Sequence, residues 1–372
     1  MLVSLLKIIE INIFSMESRM TSTIFFTQAY NARNTIRRTV NSVLNQTHGD
    51  FEYFLFDNGS TDDTEEIILE YAMLDKRIKP IHINYNHITN GGTIWATIIH
   101  ATYAKYVVWC DADDEYTPDF LENMISFMED NNLDIASCGY EKVDGFSNEV
   151  IKRRTLDKNL IIHDNLFTEE FIKYRGFTAY TWGKLYSVKH LRSSNLIATE
   201  RKNRVCNDSI WTLGVFREAA RAGVYGKAMY KYYQYPRSLS NVDIESNLSS
   251  FCEYWHETKK YLEHYGPISK INEDFLYAIH LSLVEEAVDK VFASELSTSA
   301  KLSCLDQIFK DPVWKDTMTR NADQQFKNLA ARGEYVNNVK NRILALPVVS
   351  EHREQAENTI QCLSLSPKHI LF

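Results

Sequence analysis

The 372-residue chain is 44% apolar and 24% charged with a net charge of −8, the balance of a globular protein with core enough for one large domain or two ordinary ones. Its pI near 5.8 gives no global positive field toward nucleic acid, and the short cluster Lys152-Arg153-Arg154 reads as a solvated turn. Six cysteines without a C-x-x-C pair fit reduced thiols in a cytoplasmic protein better than disulfides or zinc.

Met1 to Phe14 is apolar but interrupted by Lys7 and Glu10, too short to span a bilayer and followed by no small-residue cleavage site. Residues 1–19 therefore read as an extension, with a membrane-surface helix as the minority alternative; Met16 and Met20 offer later starts. From Thr23 onward strand and helix signals alternate. Ile24-Phe25-Phe26 predicts a strand, and Ile36, Val40, Val43 and Leu44 recur at helical spacing. Tyr53 to Phe56 predicts a second strand, stopping at Asp57-Asn58-Gly59. Thr61 is a natural N-cap for a helix whose first turn carries Asp62, Asp63, Glu65 and Glu66. Ile81 to Ile83 reads as a third strand, Asn90-Gly91-Gly92 as a loop, and Thr93 to Tyr103 as helix. This rhythm predicts a mostly parallel sheet flanked by helices, with ligands outside the carboxyl ends of the strands.

The run Tyr106-Val107-Val108-Trp109-Cys110 predicts a strand buried on both faces, and it ends in Asp111-Ala112-Asp113-Asp114. Unpaired carboxylates are too costly to bury, so these acids belong where the strand emerges. There Asp111 and Asp113 can converge on one hard cation, Mg²⁺ or Mn²⁺; acids after a strand also cap helices. The clusters Thr27 to Asn31 and Asp57 to Ser60 follow strands too and should gather on the same edge, although Asn31 and Asn58 also suit turns and Ser60 a cap. Asp134 to Cys138 predicts another strand; beyond it residues 144–175 look irregular. From about Asn247 the chain reads as all-helical: Leu281, Val284, Val288 and Val291 form one stripe, and residues 320–345 form a weaker one.

Ala29-Tyr30-Asn31-Ala32, Ser42 to Thr47, Asp57 to Thr64 and Asp111 to Asp114, in this order, resemble the inverting family 2 glycosyltransferases of GT-A fold. The likeness covers Thr23 to Tyr140 closely. It continues loosely through Trp182 to Tyr186, Asn207-Asp208 and Tyr232 to Ser240. It implies a Rossmann-like GT-A domain, with a nucleotide-sugar-binding half at 20–143 and an acceptor-binding half at 144–246, followed by a helical C-terminal region at 247–372. It implies a nucleotide-diphosphate sugar donor, usually a UDP-sugar, a divalent cation (Mn²⁺ or Mg²⁺), and a glycan or lipid-linked saccharide acceptor in cell-envelope polysaccharide synthesis. By the same likeness Thr27, Ala29, Tyr30, Asp57 and Asn58 line the nucleotide pocket. Asp111, Ala112 and Asp113 face the ribose and the metal, with Asp113 the firmer ligand; Trp182 and Lys184 lie near the sugar or acceptor, and Asp208 is the catalytic base. The spacing of Asp208 alone equally suits a helix N-cap.

Three positions depart from the family's pattern. Gln28 stands where Pro is frequent, Asn207 where Glu often precedes the base, and Trp95 where an Arg often serves the nucleotide side of the pocket. Trp95 cannot supply that charge but has a ring that can stack on a base or sugar. The competing class is a non-catalytic GT-A-like subunit that binds a sugar nucleotide or a partner glycosyltransferase. A nucleotidylyltransferase wants a Gly-rich basic loop after the first strand, and Thr27 to Arg33 has no Gly. A dehydrogenase or serine hydrolase wants G-x-G-x-x-G or G-x-S-x-G, both absent. His163, His190, His256 and His280 lack metal spacing. A lipid-linked acceptor would bring the protein to the inner face of the plasma membrane, with the C-terminal helices as docking element.

Overall fold

The computed structural model describes residues 21–83, 90–194, 196, 207–235, 244–320, 326–347 and 352–365. The expectations for residues 1–19, 236–240 and 321–325 lie outside them. Contacts divide the chain into two units, Met1–Lys202 with Trp211–Pro236, and Asn203–Ile210 with Arg237–Phe372.

The first unit is built on one ten-stranded sheet. Strands β1 (Thr23–Ala29), β2 (Phe51–Asp57), β3 (Ile78–His82) and β4 (Tyr106–Trp109) are parallel, in the order β3-β2-β1-β4. The sheet then turns mixed. It adds β5 (Glu115–Tyr116), β6 (Ile135–Asp144), β7 (Val150–Arg154), β8 (Leu160–His163), β9 (Lys184–Ser187) and β10 (Arg221–Gln234). β9 runs antiparallel between β4 and β6, and β6 and β10 pair in parallel. Strands from 20–143 and from 144–246 thus share one sheet, and the region expected to be irregular contains β7 and β8. The basic cluster Lys152-Arg153-Arg154 is strand, not a turn, because it pairs with Tyr140 to Lys142 of β6.

Side-chain alternation explains the two covering layers. On one face Phe25, Tyr53, Leu55 and Val108 pack with apolar residues of α1 (Ile36–Leu44), α2 (Thr64–Leu74) and α4 (Phe120–Asn131), the helix after β5. Their neighbours Phe26, Phe54, Phe56 and Trp109 point to the other face, where Trp95 of α3 (Asn90–Ala101) and Trp211 of α5 (Asn207–Arg217) join Trp109 and Tyr186. Two boundaries differ from expectation. Asn90-Gly91-Gly92 forms the first turn of α3 rather than a loop. α2 begins at Thr64 behind Asp63, and the Thr61 hydroxyl is turned to Asn31 Oδ1 at 3.3 Å rather than to the helix.

The second unit is helical among its described residues: α6 (Ile244–His264), α7 (Lys270–Ala293), α8 (Thr298–Phe309), α9 (Pro312–Thr319), α10 (Arg332–Leu344) and α11 (Arg353–Ser364), with a short turn at Lys327–Ala330. The stripe Leu281, Val284, Val288 and Val291 is buried against Leu302, Leu305, Trp314, Val339, Ile343 and Ile360. No described helix is long and apolar enough to cross a membrane.

His280 is a core histidine, its Nδ1 2.8 Å from the Thr317 hydroxyl. Burial lowers its pKa from 6.5 to about 4, with Asp311 opposing and His256 adding to the shift. The unfolded chain therefore takes up the proton first on acidification. Stability is complete above pH 6.5 and is lost as pH falls toward 4, by about 2 kcal/mol at pH 5. Urea denaturation at pH 7 and pH 5 measures this. The His280→Gln chain should lack that share of the loss, and an equal loss in both chains would remove His280 as the cause.

Candidate active site

The carboxyl ends of β1, β2 and β3 form one row, Ala29 beside Asp57 beside His82. The loops that follow are tied to each other. The Asn58 N–H donates to the Ala29 carbonyl (2.8 Å), the Asn31 N–H to the Ser60 hydroxyl (3.0 Å), and the Ala32 N–H to Thr64 Oγ1 (2.8 Å). The tight turn at Gly59, φ +73°, requires a residue without a Cβ. Asp57 is only 1% exposed. Its carboxylate accepts the Ser60 N–H at 3.2 and 3.3 Å and faces His82 Nδ1 at 2.9 Å, and Glu65 stands 3.2 Å from the same nitrogen. Asp57, Glu65 and His82 are also the one three-ligand cluster of metal-binding type among the described residues. His82 Nδ1 thus faces both carboxylates, a set of donor atoms that suits either hydrogen bonds to that nitrogen or an ion.

Tyr30, 45% exposed, is presented at this edge and Asn58 is buried beneath it. Ala29 is buried and offers only its backbone. Thr27 departs from expectation: its buried hydroxyl accepts from Tyr53 at 2.8 Å inside the helix-covered layer, so its side chain does not face the edge.

Beyond β4 the acidic turn splits into two kinds of carboxylate. Asp111 is exposed and Asp113 half-buried. Burial pushes the Asp113 carboxyl above the usual range, with the Arg38 charge opposing. Asp114 corrects the expectation that all three acids emerge with the strand. It is fully buried, and its oxygens accept the Tyr230 hydroxyl at 2.7 Å and the Tyr233 N–H at 2.8 Å. Burial, then the charges of Asp111 and Asp113, push its carboxyl well above the usual range. Tyr230 in turn takes the Asp111 N–H at 3.3 Å, so Asp114 anchors the turn that presents Asp111. Arg38 braces the same turn. Its guanidinium donates to the Asp113 carbonyl and to Tyr235 Oη (3.2 Å) and lies 3.6 Å from the Tyr233 ring centroid. Burial and the neighbouring acids push the Cys110 thiol well up, which leaves it inert.

Three expected positions are structurally committed. Lys184 is 2% exposed and its ammonium donates to the carbonyls of Tyr180 and Trp182. Trp182 is buried, stacked between Tyr180 (4.2 Å) and Tyr230 (4.4 Å). Tyr180 and Tyr232 beside them are half-buried. Trp95 is half-buried and set edge-on to Trp109 (5.5 Å) and Trp211 (5.8 Å). Asp208 is exposed inside the first turn of α5, not at its N-cap. Arg38, Tyr230, Tyr233 and His82 escaped the sequence reading: each acts through a partner distant in the chain.

The edge combines a parallel βαβ half, a buried aspartate after β2 and a paired-aspartate turn after β4. Residues 25–191 match the family described as Glycosyl transferase family 2. An uncharacterized glycosyltransferase of Bacillus subtilis, EpsJ, is 29% identical over 251 residues, 66% of this chain and 71% of that protein. An uncharacterized glycosyltransferase of Escherichia coli, YibD, is 25% identical over 249 residues, 66% and 68% of the two chains. Among solved structures, S. aureus TarS 1–349 in complex with UDP-GlcNAc superposes with a TM-score of 0.52 at 14% identity, covering 92% of this chain and 90% of that one; the likeness is one of fold. The fold is of GT-A type, and the relatives in sequence are named glycosyltransferases. The likeness to glycosyltransferase family 2 covers residues 25–191, under half of the chain.

Proposed function

We propose that the chain transfers a sugar, with inversion, from a nucleotide-diphosphate sugar to a hydroxyl of a glycan or lipid-linked saccharide, and that a UDP-sugar is the donor. The carrying observation is the alignment of Asp57 after β2 and Asp111 with Asp113 after β4 on one edge, separated only by β1. Two strand spacings, roughly 10 Å, suit a nucleoside lying across the edge. In this reading Asp57 accepts a hydrogen bond from the base, with Tyr30, Asn58 and the Ala29 backbone around it. Ala112 and Asp111 border the ribose. Trp95 supports this side from the aromatic layer, and Trp182 and Lys184 support the sugar side from beneath. The donor seen with TarS is compatible with that choice.

Asp113 and Asp111 suit a hard cation: one is exposed, and the other is a carboxyl raised by burial, a shift that a positive charge reverses. Mn²⁺ or Mg²⁺ held there would neutralise the charge that develops on the departing diphosphate. Asp208 accepts the proton of the acceptor hydroxyl as its oxygen bonds to the anomeric carbon and the bond to the diphosphate breaks on the opposite side. Calorimetry with UDP, in Mn²⁺ and then in excess EDTA, tests the reading. Binding is expected in Mn²⁺ and is lost in EDTA; undiminished binding in EDTA would count against Asp113 as a ligand. A role in cell-envelope polysaccharide synthesis, in the cytoplasm or at the inner face of the plasma membrane, follows from the lipid-linked acceptor within this proposal.

A further inference from the structure

Beside the acidic turn, β10, β6 and β7 carry two cross-strand rows. Tyr230 pairs with Tyr140 and Tyr140 with Arg154; one step on, Tyr232 pairs with Lys142 and Lys142 with Lys152. Paired residues point to the same face, so two lysines and an arginine share that face with the partly exposed Tyr232, beside the buried Tyr140 and Tyr230. Like charges directly opposite one another destabilise a strand pair. The adjacent pair on the other face takes the ordinary solution, Glu141 with Arg153 at 2.5 Å. The ladder slips register between Lys142 and Val143, a bulge of the kind found beside functional sites. Arg154 adds to the same field. Its Nε is buried without a hydrogen-bond partner among the described residues, and its guanidinium lies so close over Gly176 that a Cβ there would stand 1.7 Å from Nη1.

The surface adjoins the acidic turn. Tyr230 holds both Asp111 and Asp114. Burial, then the charges of Asp114, Asp111 and Asp113, push the Tyr232 phenol up to about 12. The Tyr232 ring is half-exposed, backed by Trp182 at 5.3 Å, and the Lys142 ammonium lies 5.6 Å from its centroid.

We propose that this aromatic and basic face receives the acceptor, and that the acceptor is a saccharide bearing a phosphate group. The inference rests on the reading that the acidic edge is the transfer site. Tyr232 and Tyr180 offer ring faces to the C–H side of a sugar. Lys142 and Lys152 hold the phosphate between them. Arg154 strengthens the field from the next row.

The test titrates glucose 6-phosphate, glucuronate and glucose by calorimetry into the full chain held in Mn²⁺ and saturating UDP. Glucose 6-phosphate is expected to bind about ten-fold more tightly than glucose, with glucuronate between them. The double variant Lys142→Ser/Lys152→Ser, at two solvent-reaching positions, should lose this preference and keep the parental affinity for UDP. Equal binding of the three sugars overturns the inference while UDP binding stands. A double variant that weakens UDP itself also overturns it and assigns the basic face to the donor diphosphate. Failure of UDP to bind the parent chain instead refutes the proposed function, and the sugar series without UDP then decides the basic face alone.

Discussion

Replacing Asp208 by Asn is expected to lower transfer by roughly 10²–10⁴-fold and to leave UDP affinity in Mn²⁺ unchanged. The amide keeps the size and polarity of the carboxylate but cannot take the acceptor's proton. Asp208 is exposed in the first turn of α5, and the isosteric amide keeps an acceptor oxygen there while losing a favourable charge at a helix start, worth less than about 1 kcal/mol. Any large effect is then chemical. Nucleotide release from a UDP-sugar pool, read beside UDP calorimetry, separates the outcomes. Loss of both activities would make Asp208 a structural residue, and unchanged turnover would place the base elsewhere.

Replacing Asp114 by Ala is expected to cost about 4 kcal/mol in urea denaturation, because it leaves the Tyr230 hydroxyl and the Tyr233 N–H buried without their acceptor. Asp114→Asn keeps a carbonyl for the Tyr233 N–H and an amide that can donate to Tyr230, and should cost about 1 kcal/mol. The contrast follows from burial: the amide can keep both hydrogen bonds, which the alanine methyl group cannot make. If Asp114→Ala were as stable as the parent yet lost metal-dependent UDP binding, Asp114 would be a ligand and the anchoring role would fail.

These two aspartates mark how far the sequence could be read. The alternation of Ile24-Phe25-Phe26, Tyr53 to Phe56 and Tyr106 to Trp109 with helical stripes specified the parallel half of the sheet, because periodicity is local. The burial of Leu281, Val284, Val288 and Val291 was legible for the same reason. The strand β7 was missed because a basic tripeptide becomes a strand only through its partner β6. Thr61 has the chemistry of a cap, but Asn31, thirty residues away, takes its hydroxyl.

The sequence by itself determined the strand-then-acid order, and with it the edge on which Asp57, Asp111 and Asp113 gather. Chain direction in a parallel sheet sends every strand's carboxyl end to one side. Only the tertiary structure decided which acids face outward. Asp111 and Asp113 remain at the surface, whereas Asp114, their immediate neighbour, is drawn inside because β10 brings Tyr230 and Tyr233 to meet it. Strand pairing between β6 and β7 likewise set Lys142 against Lys152. A hydrogen bond or a repulsion across the sheet depends on register, and register is a property of two strands, invisible in either alone.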